Sequence, residues 1–158
     1  MLYTIEDLAA STNHALQQYG MPERTLEEVT AFVGNGVAKL IERAVVPGTD
    51  KELFDKVFVE FKKHYAVHNL DHTRPYPGIV DMLTGLKEHG YKVAVVSNKL
   101  QSATQSLCEH FFGELVPLAV GDNPSMAKKP EADMVNEALC RLNRSRANAV
   151  YVLSLIHI

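Results

Sequence analysis

Long apolar runs are missing from this 158-residue chain, although 46% of its residues are hydrophobic. The apolar residues come in short stretches, none near the roughly 20 needed to cross a bilayer as a helix. Cysteine is scarce too. Cys108 and Cys140 are the only two, and they lack the close spacing of a metal-binding pair. A disulfide framework and a zinc knuckle are therefore excluded, and both residues are expected to be small buried thiols in a reducing cytosol. There is no large excess of charge of one sign. The formal net charge is −3, which argues against nucleic acid as the main partner, because phosphate backbones are bound by basic surfaces. The opening "MLYTIEDLAAS" has acids at Glu6 and Asp7 and neither a basic lead-in nor an apolar stretch, so no secretory signal is expected. These absences leave a cytoplasmic protein with no membrane or nucleic-acid partner as the expectation.

What is present divides into two grammars. The first half is helical. Thr4 is placed to cap a helix in which Ile5, Leu8, Ala9 and Leu16 recur at helical spacing, ending near Tyr19–Gly20. Thr25 opens a second helix, "TLEEVTAFV", which the glycines of "VGNGV" interrupt before "VAKLIERAV" continues. Asp50 caps a long helix carrying the stripe Phe54, Phe58, Phe61 and Tyr65, a core face at helical spacing. The prolines and glycine of "DHTRPYPG" then mark a linker.

After the linker, strands and helices alternate. Ile79–Glu88 is amphipathic and stops at Gly90. "YKVAVVS" is nearly all apolar, as expected of a parallel strand covered on both faces. "QSATQSLCEHF" predicts a helix, "LVPLAV" a second strand, "EADMVNEALCRLN" a helix and "NAVYV" a third strand. Such alternation predicts an α/β fold with a parallel sheet. The expected organisation is a helical unit over residues 4–72 and a partial α/β core over 76–152. Three strands are few for such a sheet.

Two stretches carry chemistry. "VAVVSNK" puts Ser97 and Asn98 at the carboxyl end of a strand, where a hydroxyl and a following backbone N–H can hold an anionic oxygen. In "GDNPSMAKKPEAD", Pro130 pushes Lys129 out of the helical region and suits the first turn of the next helix. Lys129 is thus expected beside exposed N–H groups at a helix N-terminus, a place that favours an anion. Each stretch alone is ordinary turn or surface chemistry.

Their order is more specific. Strand, Ser-Asn, helix, strand, Lys-Pro, helix, strand, preceded by a helical unit and "PYPG", resembles the haloacid dehalogenase superfamily of phosphohydrolases. "EDLAASTNHALQQYGMPERTLEEVTAFVGNGVAKLIERA" and "TRPYPGIVDMLTGLKEHGYKVAVVSNK" are similar to phosphoglycolate phosphatase-like members with a helical cap. The resemblance implies an incomplete Rossmann-like core with an inserted all-helical cap. It implies Mg²⁺-dependent hydrolysis of a small phosphorylated metabolite, such as 2-phosphoglycolate, through an aspartyl-phosphate intermediate. Ser97 would bind the phosphoryl oxygen, Asn98 would support it through its backbone, and Lys129 would neutralise charge. A carboxylate nucleophile approaching a phosphoryl anion needs such compensation.

The family's nucleophile strand, ending Asp-x-Asp-Gly-Thr, is expected just before Met1, because "YTIEDLAAS" resembles the sequence that follows it. Tyr3 stands where an Asp is common. A Gly-Asp-Ser motif is expected after Val152, where Leu153, Ser154 and Leu155 stand instead. "LSLIHI" is encoded by CTG TCT CTT ATA CAC ATC, a transposon adapter of sequencing libraries, so 153–158 is expected to be a non-native tail; the alternative is a real hydrophobic strand. The chain as written is expected to be inactive and to hold no Mg²⁺ tightly.

The loop Gly34, Asn35 and Gly36 is expected either to reach a substrate or to be a simple helix break. Lys39 and Arg43 are expected to be solvated. His64, His68 and His72, four residues apart, are expected on one exposed helix face with no acid or cysteine to complete a metal set. The alternatives within the family are a pyrophosphatase or a sugar-phosphate mutase. The alternative outside it is a non-catalytic fragment or an anion- or partner-binding module.

Overall fold

The computed structural model describes residues 1–127 and 129–153. Four helices make up the first half: α1 (Ile5–Gln18), α2 (Leu26–Phe32), α3 (Val37–Ala44) and α4 (Lys51–His68). Their starts follow local chemistry. Thr25 and Glu28 form a reciprocal capping box on α2, and the Asp50 carboxylate accepts from Leu53 N on α4. Thr4 precedes α1 but makes no side-chain cap. Leu8, Leu16, Val29, Leu40, Ile41, Val57, Phe61 and Tyr65 form one buried cluster, with Phe54 and Phe58 packed at its margin. Ala103 and Leu100, from the second half, join the same cluster and bind the two halves together.

The second half contains α5 (Ile79–Glu88), β3 (Ala94–Leu100), α6 (Gln101–Phe112), β4 (Leu118–Asp122) and α7 (Asp133–Arg141). β3 and β4 pair in parallel, with Ala94 opposite Leu118 and Val96 opposite Val120. Helices α5 and α6 bury Leu83, Cys108 and Phe112 on one side, and α7 buries Met134 and Ala138 against Val120 on the other. The architecture is the expected α/β arrangement with helices on both faces. Gly121 N donates to Oε1 of the Gln101 side chain, whose Nε2 donates to Ala119 O at 3.1 Å. That clamp docks α6 on β4.

Several expectations are corrected. "NAVYV" is no strand: Val150 is 90% and Val152 87% exposed, and neither is in regular structure. Among the described residues, the parallel sheet consists of β3 and β4. A strand at 149–152 has no neighbour to pair with there, and an unpaired segment has no ladder to define it. For the same reason every residue of β3 is half-buried rather than covered on both faces. β3 begins at Ala94, so Tyr91 stays outside it. Cys108 is buried, but Cys140 is exposed at the end of α7. Leu153 is exposed, while the rest of the expected non-native tail, 154–158, lies outside the described residues.

The linker holds an unexpected element. β1 (Leu2–Tyr3) pairs antiparallel with β2 (Arg74–Pro75), and Tyr76 N donates to Met1 O at 3.0 Å. The two chain crossings between the halves therefore run side by side. Asp7, on the first turn of α1, fixes them. It is 1% exposed, and its oxygens accept from His72 N, His72 Nδ1, Thr73 N and Thr73 Oγ1 at 2.7–3.0 Å. His72 accordingly lies beyond α4, which ends at His68, and not on its face.

Candidate functional site

Ser97 and Asn98 lie within β3, after the last regular pair Val96–Val120 and in the irregular stretch that leads to the strand's carboxyl end at Leu100. In such folds ligands collect at that end of the strands. The structure also brings Lys129 there, by a device the sequence did not reveal. The Asn98 side chain donates to Lys129 O at 3.0 Å and accepts from Lys129 N at 2.9 Å, an amide-to-backbone pair that fixes the loop. Lys129 Nζ donates to Val96 O at 3.0 Å, one residue before Ser97. Burial lowers the Lys129 ammonium from its ordinary value.

The expected helix N-terminus at Lys129 is corrected. α7 begins only at Asp133, with Ala132 as its N-cap, and residues 129–132 form turns. Asp133 turns back to accept from Ala127 N at 3.1 Å. The loop backbone is thus committed to Asn98 and to the side chain of Asp133, the first residue of α7. The Asn98 side chain is committed to the Lys129 backbone.

Next to Ser97 lies a residue that pattern reading passed over. Lys99 donates to Tyr65 Oη at 2.5 Å, and its ammonium sits 4.7 Å from the Tyr65 ring centre. Burial pulls the Lys99 ammonium down to about 8, with the charge of Asp7 partly opposing. Burial also pushes the Tyr65 phenol well above its usual value. A charged residue two places after Ser97 in an apolar run was the available signal, since alternate strand residues share a face. Ser97, Lys99 and Thr104 line a groove of about 190 Å³ beneath α6, together with Val95, Leu107 and Phe112.

Gly34, Asn35 and Gly36 form the turn between α2 and α3, with Gly34 and Gly36 at φ 129° and 87°. Positive φ at both positions is a sufficient reason for glycine. The described contacts do not join this turn to Ser97 or Lys129. Lys39 pairs with Glu42 at 2.7 Å, and Arg43 donates to Phe32 O at 2.9 Å, closing the end of α2. The histidines stack instead of converging on a point: His14 on His64 at 4.1 Å and His64 on His68 at 4.2 Å. Among the described residues, no group of three His, Cys, Asp or Glu is arranged to hold a metal. No described helix is long and apolar enough to cross a membrane.

A parallel β3–β4 pair flanked by helices, with a helical unit before it, is the architecture of a Rossmann-like α/β core. The family model for haloacid dehalogenase-like hydrolases matches residues 1–152, and the chain belongs to that family. It is 31% identical over 154 residues to a phosphoglycolate phosphatase of Aquifex aeolicus, covering 96% of this chain and 70% of that protein. It is 32% identical over 154 residues to a phosphoglycolate phosphatase of Neisseria meningitidis, covering 94% of this chain and 66% of that one. Among solved structures, a Lactobacillus delbrueckii subsp. bulgaricus protein provisionally named a phosphoglycolate phosphatase superposes with a TM-score of 0.83. Its identity to this chain is 29%, with 92% of this chain and 70% of that chain covered.

Proposed function

We propose that this chain carries the helical cap, residues 4–72, and part of the catalytic core, residues 76–152, of a phosphatase that hydrolyses a small phosphorylated metabolite, with 2-phosphoglycolate the first substrate to test. The observation that supports it best is the Asn98–Lys129 pairing, with Lys129 Nζ on Val96 O beside Ser97. Ser97 Oγ would hold a phosphoryl oxygen, Lys129 would offset its charge, and Asn98 would hold Lys129 in place. Gly34, Asn35 and Gly36 would face the substrate on closure of the cap. Positioning and charge neutralisation are the greater part of catalysis in phosphoryl transfer.

The family relationship implies Mg²⁺, which would offset phosphate charge. The described residues do not fit it, since they offer no cluster of three ligating groups, and no step is derived through the metal. A nucleophilic carboxylate on a strand lying against the unpaired edge of β3 would complete the core. The 158 residues taken alone are therefore proposed to bind phosphate without turning over an ester. Restoration is the test. The chain is extended by a relative's upstream strand ending Asp-x-Asp-Gly-Thr and by a downstream Gly-Asp-Ser segment, then assayed on 2-phosphoglycolate with Mg²⁺. Turnover that Lys129→Ala abolishes is expected. A folded, restored chain inactive on phosphate monoesters would overturn the reading. The second reading, a non-catalytic anion-binding module, is favoured by the exposed 149–153 segment and the open β3 edge.

A further inference from the structure

The proposed site leaves one charged group unused. Lys99 follows Ser97 by two residues in β3, so their side chains leave the strand on one face, and both line the groove beneath α6. Lys129 does not line it; its ammonium donates to Val96 O. The groove is of mixed character. Leu2, Val95, Leu107 and Phe112 are apolar, whereas Thr4, Ser97, Lys99 and Thr104 are polar. Its volume of about 190 Å³ equals the share of roughly six liquid waters, room for a phosphate and a small substituent.

Lys99 is held in an unusual balance. Its hydrogen-bond acceptor, Tyr65 Oη, belongs to a neutral phenol on α4. The carboxylate that acts on it, Asp7 on α1, already accepts four hydrogen bonds from His72 and Thr73. A lysine ammonium has three donors, and Tyr65 takes one. A desolvated cation with donors to spare, beside a hydroxyl on the same strand face, is suited to an anion with several oxygens.

We propose that Lys99 and Ser97 bind a phosphate-type anion in this groove, Lys99 supplying the charge and its Tyr65 bond linking the occupied site to the helical unit. The proposal rests on the site reading above for Ser97 and places a cation on the groove side of that hydroxyl, which Lys129 does not line. It carries a signature that a merely structural lysine lacks. An anion beside Lys99 favours the protonated amine, so binding takes up a proton at pH values where the free amine is partly neutral. The other titratable groups facing this place are Tyr65, Asp7, the Cys108 thiol and the Met1 amino group. Met1 titrates nearby, so the lysine variants are needed to assign the proton.

The test is calorimetric titration of the 158-residue chain with inorganic phosphate at pH 8, in two buffers of different ionisation enthalpy. Wild type, Lys99→Met, Lys99→Arg and Ser97→Ala are compared after circular dichroism confirms the fold of each. Wild type is expected to bind with proton uptake. Lys99→Met should bind at least tenfold more weakly without uptake. Lys99→Arg should retain binding and lose the uptake, because a guanidinium stays charged throughout. Lys99→Met binding as tightly as wild type, while Ser97→Ala loses phosphate, would overturn this inference and leave the site reading standing. No phosphate binding by wild type would overturn both.

Discussion

Replacing Lys99 with methionine should make the protein more stable at neutral pH. Lys99 titrates at about 8 in the fold against an ordinary 10.5, chiefly because burial penalises its charge. A difference of that size corresponds to about 3 kcal/mol of folding free energy at 1.36 kcal/mol per pH unit. A lysine whose folded value lies below its unfolded value binds fewer protons when folded. Its cost is therefore full below about pH 8 and disappears as pH rises towards 10.5. The opposing attraction of Asp7 is already contained in the shift, and Asp7 keeps its four donors in the variant. Methionine fills the same length with flexible apolar atoms, and the Tyr65 hydroxyl loses a partner, at a cost of about 1 kcal/mol. The net expectation is Lys99→Met more stable by about 2 kcal/mol at pH 7, with that advantage gone by about pH 10.5. Urea unfolding followed by circular dichroism at several pH values measures it. A variant less stable than wild type at pH 7, or a gap that does not change with pH, would refute the reasoning.

Asp7→Asn should cost about 2–4 kcal/mol, because an amide NH₂ must face donors that now meet a carboxylate oxygen; faster limited proteolysis at 69–76 than in wild type checks where the damage lies. Gly121→Ala should cost about 1–3 kcal/mol, since its Cβ would lie 2.5 Å from Gln101 Cα and 2.8 Å from Gln101 N, backbone atoms that cannot swing away; thermal unfolding reads the loss. His64 is held below its ordinary 6.5 by burial first, then by His14 and His68, with Glu60 and Asp71 opposing. The unfolded chain therefore takes that proton first, and stability falls as pH drops through 6.5 towards the lower folded value. His64→Gln should flatten this loss between pH 7 and 5, and equal slopes for the two proteins would count against it.

Much of this was legible in the sequence, for local reasons. The capping pair Thr25–Glu28, the cap Asp50 and the stripe Phe54–Tyr65 depend on residues three or four apart, and periodicity finds them. Ser97 was visible because an apolar run stops there, although β3 itself continues to Leu100. Asn98 and Lys129 were both found, but their link spans 31 residues, and nothing local marks the two hydrogen bonds that join them. The start of α7 was misplaced for the same reason. Pro130 suits a first turn, yet Asn98 and Asp133 determine the loop instead. β1 and β2 are two residues each, too short for any alternating pattern to register. The failed strand at 148–152 shows the converse. Its residues favour a strand, but a strand exists only beside another, and the described sheet offers no edge next to it.

The polar partnerships that escaped pattern reading share a location. Asp7 leaves α1 for the crossing at His72–Thr73, Tyr65 leaves α4 for Lys99, and Lys99 leaves β3 for both. Each is a polar group in a segment otherwise read by its apolar neighbours, and each has its partner on another element. Burying charge at a junction between two packed units is costly unless the partners are in place. A cavity lined by leucine would hold the halves together at lower cost. A buried ammonium that an anion can stabilise does something leucine cannot: it makes the junction's stability depend on what occupies the groove. By linkage, phosphate binding and the strength of the Tyr65–Lys99 contact must then influence each other equally. Tyr65→Phe separates this from simple packing, because it keeps the ring in the core and removes only the oxygen that Lys99 uses. Under coupling, phosphate should raise the unfolding temperature of wild type by more than that of Tyr65→Phe. Identical shifts would mean that the groove and the helical unit are merely adjacent.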